Sequence, residues 1–124
     1  MKLPELTIGI EEEYQLVHPE TRALTSYIQE MLDHGSVVLR DQIKAEFLQS
    51  QVEVGTKICR NITEARADMV RLRLAVCDVA KSRGLRVAAA GTHPFSQWIS
   101  QQVTAGERYT KHEREMVDVA RRLL

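Results

Sequence analysis

Near the N-terminus the run Thr7-Ile8-Gly9-Ile10-Glu11-Glu12-Glu13-Tyr14-Gln15-Leu16 sets three consecutive carboxylates inside an otherwise strand-like apolar stretch. Successive side chains of an extended strand alternate faces. Ile8, Ile10, Glu12, Tyr14 and Leu16 therefore share one side, and Glu11, Glu13 and Gln15 the other. Strand geometry puts Glu11 and Glu13 about 6 to 7 Å apart on that second side. Like charges so close repel unless a cation or a basic group lies between them. Magnesium, a hard cation that prefers carboxylate oxygen and brings phosphate with it, is the economical expectation.

A second acidic pair repeats the pattern. Glu46 lies between Ala45 and Phe47, and Glu53 between Val52 and Val54, so the apolar neighbours face away from each carboxylate. Residues 43–47 and 51–55 read as a hairpin or bent strand with Gln49-Ser50 as a tight connection. If this pair lies beside the first strand, Glu11, Glu13, Glu46 and Glu53 line one face of a sheet and form a cation-binding surface. The alternative is an antiparallel sheet with one wet face, which shows the same alternation with its glutamates simply in water.

The remaining elements follow from local signals. His18-Pro19 marks a turn. A short helix is expected over residues 26–33 and stops at Gly35. Asn61-Ile62-Thr63-Glu64 resembles a capping box, Gly84 ends the element, and Ile62, Ala65, Met69, Leu72, Val76, Val79 and Ala80 recur at helical spacing, predicting a helix over 61–83. Residues 85–90 read as a strand of small side chains leading into the loop 91–95. A last helix is expected from Gly106 to the C-terminus. Gly9 suggests close approach of another group to the first strand.

With 124 residues the chain suits one domain. Seventeen basic and seventeen acidic residues balance, leaving no electrostatic footprint for nucleic acid or an anionic membrane. No apolar run is long enough to span a bilayer, and the first residues lack the apolar segment of a signal peptide. A cytoplasmic location is expected. Cys59 and Cys77 have neither metal-site spacing nor a dense disulfide pattern and read as buried free thiols without a role. Two further candidates stand beside the carboxylates. Arg60, just before a helix N-terminus, is placed to meet an anion, or is a solvated cation. His93, in Gly91-Thr92-His93-Pro94, is a ligand or phosphate contact, or an ordinary loop residue. Trp98, Phe95 and Tyr109 cover a substrate or simply pack. No residue is assigned a catalytic role.

Four stretches in order, Thr7 to Val17, Glu46 to Val54, Ala88 to Phe95 and Gln102 to Tyr109, together resemble the N-terminal part of the bacterial carboxylate–amine ligases of the second glutamate–cysteine ligase family. The resemblance implies an α+β fold related to glutamine synthetase, an antiparallel sheet with helices packed on one face. It implies ATP-dependent phosphorylation of a substrate carboxylate and attack by an amine on the acyl phosphate, typically joining glutamate to cysteine. Glu11, Glu13 and Glu53 carry over as magnesium ligands and Glu46 as a fourth. Two departures stand out. Thr56-Lys57 occupies the place of the family's frequent Thr-Pro, and the His-rich strand that such ligases carry further along is absent. The expectation is therefore one wall of an active site, the N-terminal portion of a larger ligase domain, inactive alone and completed by the rest of a longer chain, by self-association or by a partner chain. A non-catalytic interaction or regulatory module, and one subunit of a split ligase, are the rival expectations.

Overall fold

The structure is a computed structural model, and it describes residues 5–107, 109 and 111. Its elements run β1 (Glu11–Val17), α1 (Ile28–Leu39), β2 (Ile43–Ala45), β3 (Gln51–Gly55), α2 (Ile62–Ser82) and β4 (Arg86–Ala88). The strands form an antiparallel sheet in the order β2-β3-β1-β4. This is the expected α+β arrangement, with both helices against one face. No helix among the described residues is long and apolar enough to cross a membrane.

Alternation along the strands builds the core. Tyr14 and Leu16 of β1, Ile43 of β2 and Val52 and Val54 of β3 are buried against Ile28, Met31 and Leu39 of α1 and Met69, Leu72 and Val76 of α2. Burying side chains of this size stabilises by about 1.5 to 3 kcal/mol each. The buried face of α2 is the predicted stripe, except that Ile62, in its first turn, is exposed. The Asn61 side chain accepts a hydrogen bond from the Glu64 backbone N–H at 3.0 Å. Glu64 reaches back to the N–H of Arg60, at 2.8 Å, one residue earlier than in a capping box. Gly84, at φ +69°, ends the helix as expected.

Three expectations are corrected. The first helix does not stop at Gly35 but continues to Leu39. Gly35 is there because β2 passes so near that a Cβ would lie 2.5 Å from Cδ1 of Ile43. The helix instead ends at Arg40, which holds a positive φ of 55°. Cys59 is buried, but Cys77 is exposed on the outer side of α2, where its neighbour Val76 takes the inward position. Gly9 precedes β1 and has open space where a side chain would be. The last helix lies almost wholly outside the described residues.

Across the sheet from the core, Glu11, Glu13 and Gln15 of β1 face the same way as Glu53 and Gln51 of β3, and Lys44 of β2 pairs with Glu53. The turn between β2 and β3 is held by residues 101–104. Gln49 N–H donates to the Gln102 carbonyl at 2.8 Å, Thr104 N–H to the Phe47 carbonyl at 2.8 Å, and the Thr104 hydroxyl to the Glu46 carbonyl. That latch fixes the backbone that carries Glu46.

Candidate metal centre

Glu13 of β1 and Glu53 of β3 are direct cross-strand partners, and Glu46 sits one residue past the end of β2. Oxygens of Glu13, Glu46 and Glu53 lie within 4.8 Å of one another. β1, β3 and the turn just after β2 thus bring three carboxylates together. An octahedral magnesium ion holds neighbouring oxygens about 3 Å apart and opposite ones about 4 Å apart, so side-chain rotations that draw these three oxygens inward would close the set around the ion. The donors are all hard oxygens, as magnesium requires.

The electrostatics fit the same reading. Glu13 stays exposed as a residue, yet its carboxyl is partly desolvated, and that loss of water raises its pKa. The charges of Glu46, Glu53 and Glu11 raise it further. A cation between these groups removes the repulsion that now favours the proton.

Glu11 lies on the same face but does not join the three. Its carboxylate is 3.6 Å from Lys44 Nζ, which also lies 3.2 Å from Glu53. Lys44 is the charged neighbour of the cluster that sequence reasoning missed. Its signal was present: it precedes Glu46 by two residues and so shares its face. Beside Glu11 and Lys44 opens a cleft of about 880 Å³, lined also by Arg40, Gln42, Lys57 and Arg71. Glu12, on the opposite face, accepts hydrogen bonds from Tyr14 and from Arg73 of α2. Burial, followed by the bond to Glu12, pushes the Tyr14 phenol up to about 12.

Gln15 continues the acidic side of β1. It is 2% exposed, and its Oε1 has no hydrogen-bond partner among the described residues. A buried acceptor left unpaired costs about 1 to 3 kcal/mol.

The other candidates sit elsewhere. Arg60 pairs with Glu64 at 3.0 Å and is highly exposed. His93 organises its own loop: its Nε2 bonds the Arg22 carbonyl at 2.9 Å and its Nδ1 accepts from the Ser96 N–H at 3.0 Å. Neither belongs to the carboxylate cluster. Phe95 is exposed and stacks edge-on with His93, whereas Tyr109 donates from its hydroxyl to the Ala45 carbonyl at 2.8 Å.

The family model for glutamate–cysteine ligase family 2 matches residues 7–122. The chain belongs to this family. Among its relatives, a protein of Herpetosiphon aurantiacus is 58% identical over 118 residues, one of Chloroflexus aurantiacus 57% over 118, and one of Sorangium cellulosum 46% over 119. Each bears the name "Putative glutamate--cysteine ligase 2". The matches cover 94 to 95% of this chain and 30 to 32% of the relatives, so the chain spans about a third of their length. Glu11, Glu13, Glu46 and Glu53 all fall inside the region matched by the family model.

Proposed function

We propose that this chain supplies the metal-holding strand face of an ATP-dependent carboxylate–amine ligase, which joins glutamate to an amine such as cysteine through an acyl phosphate. The observation that carries the reading is the convergence of Glu13, Glu46 and Glu53, from β1, the turn just after β2 and β3, within 4.8 Å. Membership of glutamate–cysteine ligase family 2 supports this reading. The fold is read as the matching part of a glutamine synthetase-like sheet, with its helices on the outer face.

In this reading Glu13, Glu46 and Glu53 hold magnesium, and Glu11 joins them when Lys44 turns away. Held by these carboxylates, a magnesium ion would supply positive charge to offset that of nucleotide phosphate during phosphoryl transfer. The chain's own contribution is positional. The β1–β3 register sets the spacing of Glu13 and Glu53, and the 101–104 latch sets Glu46. Lys44 neutralises Glu11 and Glu53 before the ion arrives. Arg60 and His93 remain candidates for phosphate or substrate contact from outside the cluster. The rest of the substrate site is assigned to further sequence of the kind the longer relatives possess, or to a partner chain.

Calorimetric titration with magnesium and ATP, on the wild type and on Glu11→Gln and Glu53→Gln, tests this. The expected result is metal-dependent nucleotide binding, abolished by Glu53→Gln and weakened by Glu11→Gln. A folded wild type that binds neither magnesium nor the nucleotide would sink the reading and favour a non-catalytic role.

A further inference from the structure

Gln15 is out of place as a mere filler of space. It lies two residues beyond Glu13 on the same face of β1 and opposite Gln51, which stands two residues before Glu53. Its side chain is almost wholly enclosed, and its amide oxygen has no donor among the described residues. An apolar side chain would fill the same space with no unpaired acceptor. The position therefore suits an acceptor whose donor arrives with a ligand.

We propose that Gln15 Oε1 accepts a hydrogen bond from a water molecule on the divalent ion held by Glu13, Glu46 and Glu53. Gln15 is then a positioning residue for that ion's remaining coordination places. The inference rests on the metal reading above and adds a residue to it. Magnesium keeps several of its waters, and its charge makes each of them a strong donor. Residues two apart on a strand are about 6.5 to 7 Å apart. A metal–oxygen bond of about 2.1 Å followed by a hydrogen bond of about 2.8 Å covers most of that span, and the glutamine side chain covers the rest. Such outer groups fix the orientation of the inner ones, and losing one typically weakens metal binding by about 10- to 100-fold.

The test uses Mn2+ alone as the probe, titrated calorimetrically into the 124-residue chain as wild type, Glu53→Gln, Gln15→Met and Gln15→Glu. Urea unfolding of each without metal accompanies it. Gln15→Met is expected to bind Mn2+ about tenfold more weakly. Without metal it is expected to be at least as stable as the wild type, because an unpaired buried acceptor has been replaced by an apolar group of similar size. Those opposite directions separate the proposed role from a structural one, in which stability falls and metal affinity does not. Gln15→Glu retains an acceptor and is expected to bind at least as tightly as the wild type. It carries the test if the methionine variant fails to fold, and weaker binding by it would overturn the proposal. Wild-type binding that Glu53→Gln abolishes and Gln15→Met leaves unchanged overturns the role of Gln15 while the metal site stands. No Mn2+ binding by the folded wild type overturns both.

Discussion

Glu13 and Glu53 face each other directly across the β1–β3 pair, and Lys44, opposite Glu53 on the other side, is bonded to Glu53 at 3.2 Å. Of the two cross-strand carboxylates, Glu53 therefore has a cation in contact. The pKa of Glu13 is raised, by desolvation first and then by Glu46, Glu53 and Glu11. A raised folded-state value means that the folded chain holds the proton more tightly than the unfolded one. The stability this contributes is fully present below the unfolded value, near 4.5, and is lost as pH rises through the folded value. Glu13→Gln escapes that loss. Urea unfolding at about pH 4 should show little difference between variant and wild type, and at about pH 7 the variant should be the more stable. Solvent screening of an exposed group limits the gain to the order of 0.5 kcal/mol. Equal stability at the higher pH would show that the carboxylates do not strain one another. Glu12, lowered chiefly by its hydrogen bond to Arg73, drifts in the opposite sense with pH, so the difference between variant and wild type is the quantity to read.

Lys44 and an incoming metal compete for the same carboxylate. The ammonium contacts Glu53 and Glu11 and is itself half exposed, so it can be displaced. Lys44→Met removes the competitor and leaves its apolar stem. Magnesium affinity, followed by calorimetry, is expected to rise about fivefold, which corresponds to one unit charge at about 4 Å in a strongly screened setting. The gain should shrink in high salt. Weaker binding by the variant would mean that Lys44 helps to assemble the site.

Gly35 and Ile43 form a tight contact between α1 and β2. An alanine at position 35 brings its Cβ to 2.5 Å from Ile43 Cδ1, the far end of a flexible side chain. Alanine favours the helix by about 0.8 to 1 kcal/mol over glycine, and turning the isoleucine opposes this by about 0.5 to 1.5 kcal/mol. Gly35→Ala should therefore lie within about 1 kcal/mol of wild type. Ile43→Val alone should cost about 0.5 to 1.5 kcal/mol. In the Gly35→Ala background the same change should cost clearly less, since valine lacks the crowded Cδ1. A double-mutant cycle by denaturant unfolding reads this coupling directly. Additive effects would mean that the helix moves instead of the side chain.

Several elements were legible because their signals are local. The apolar period of α2, its Asn61 cap and its Gly84 stop depend on residues within a few positions of each other. The alternation in β1 and β3 separated the core side from the acidic side, since a strand has only two faces. The same alternation puts Glu11, Glu13, Glu46 and Glu53 on one face only if the 43–47 and 51–55 segments pair beside the first strand, a condition that local signals do not decide. The misreadings were of long-range origin. Gly35 has the residue type of a helix stop, and only the passage of β2 explains why the helix continues through it. Cys77 looked like a core thiol until the packing direction of α2 turned it outward.

The sequence by itself determined which side chains can share a face, because that follows from backbone periodicity alone. Which of them meet was decided by the tertiary structure. Strand order and register set Glu53 opposite Glu13, the 101–104 latch held Glu46 beside them, and Lys44 drew Glu11 aside. It also enclosed Gln15 without a donor to its Oε1 among the described residues. These are contacts between residues about thirty to sixty positions apart, and their geometry exists only once the strands have paired.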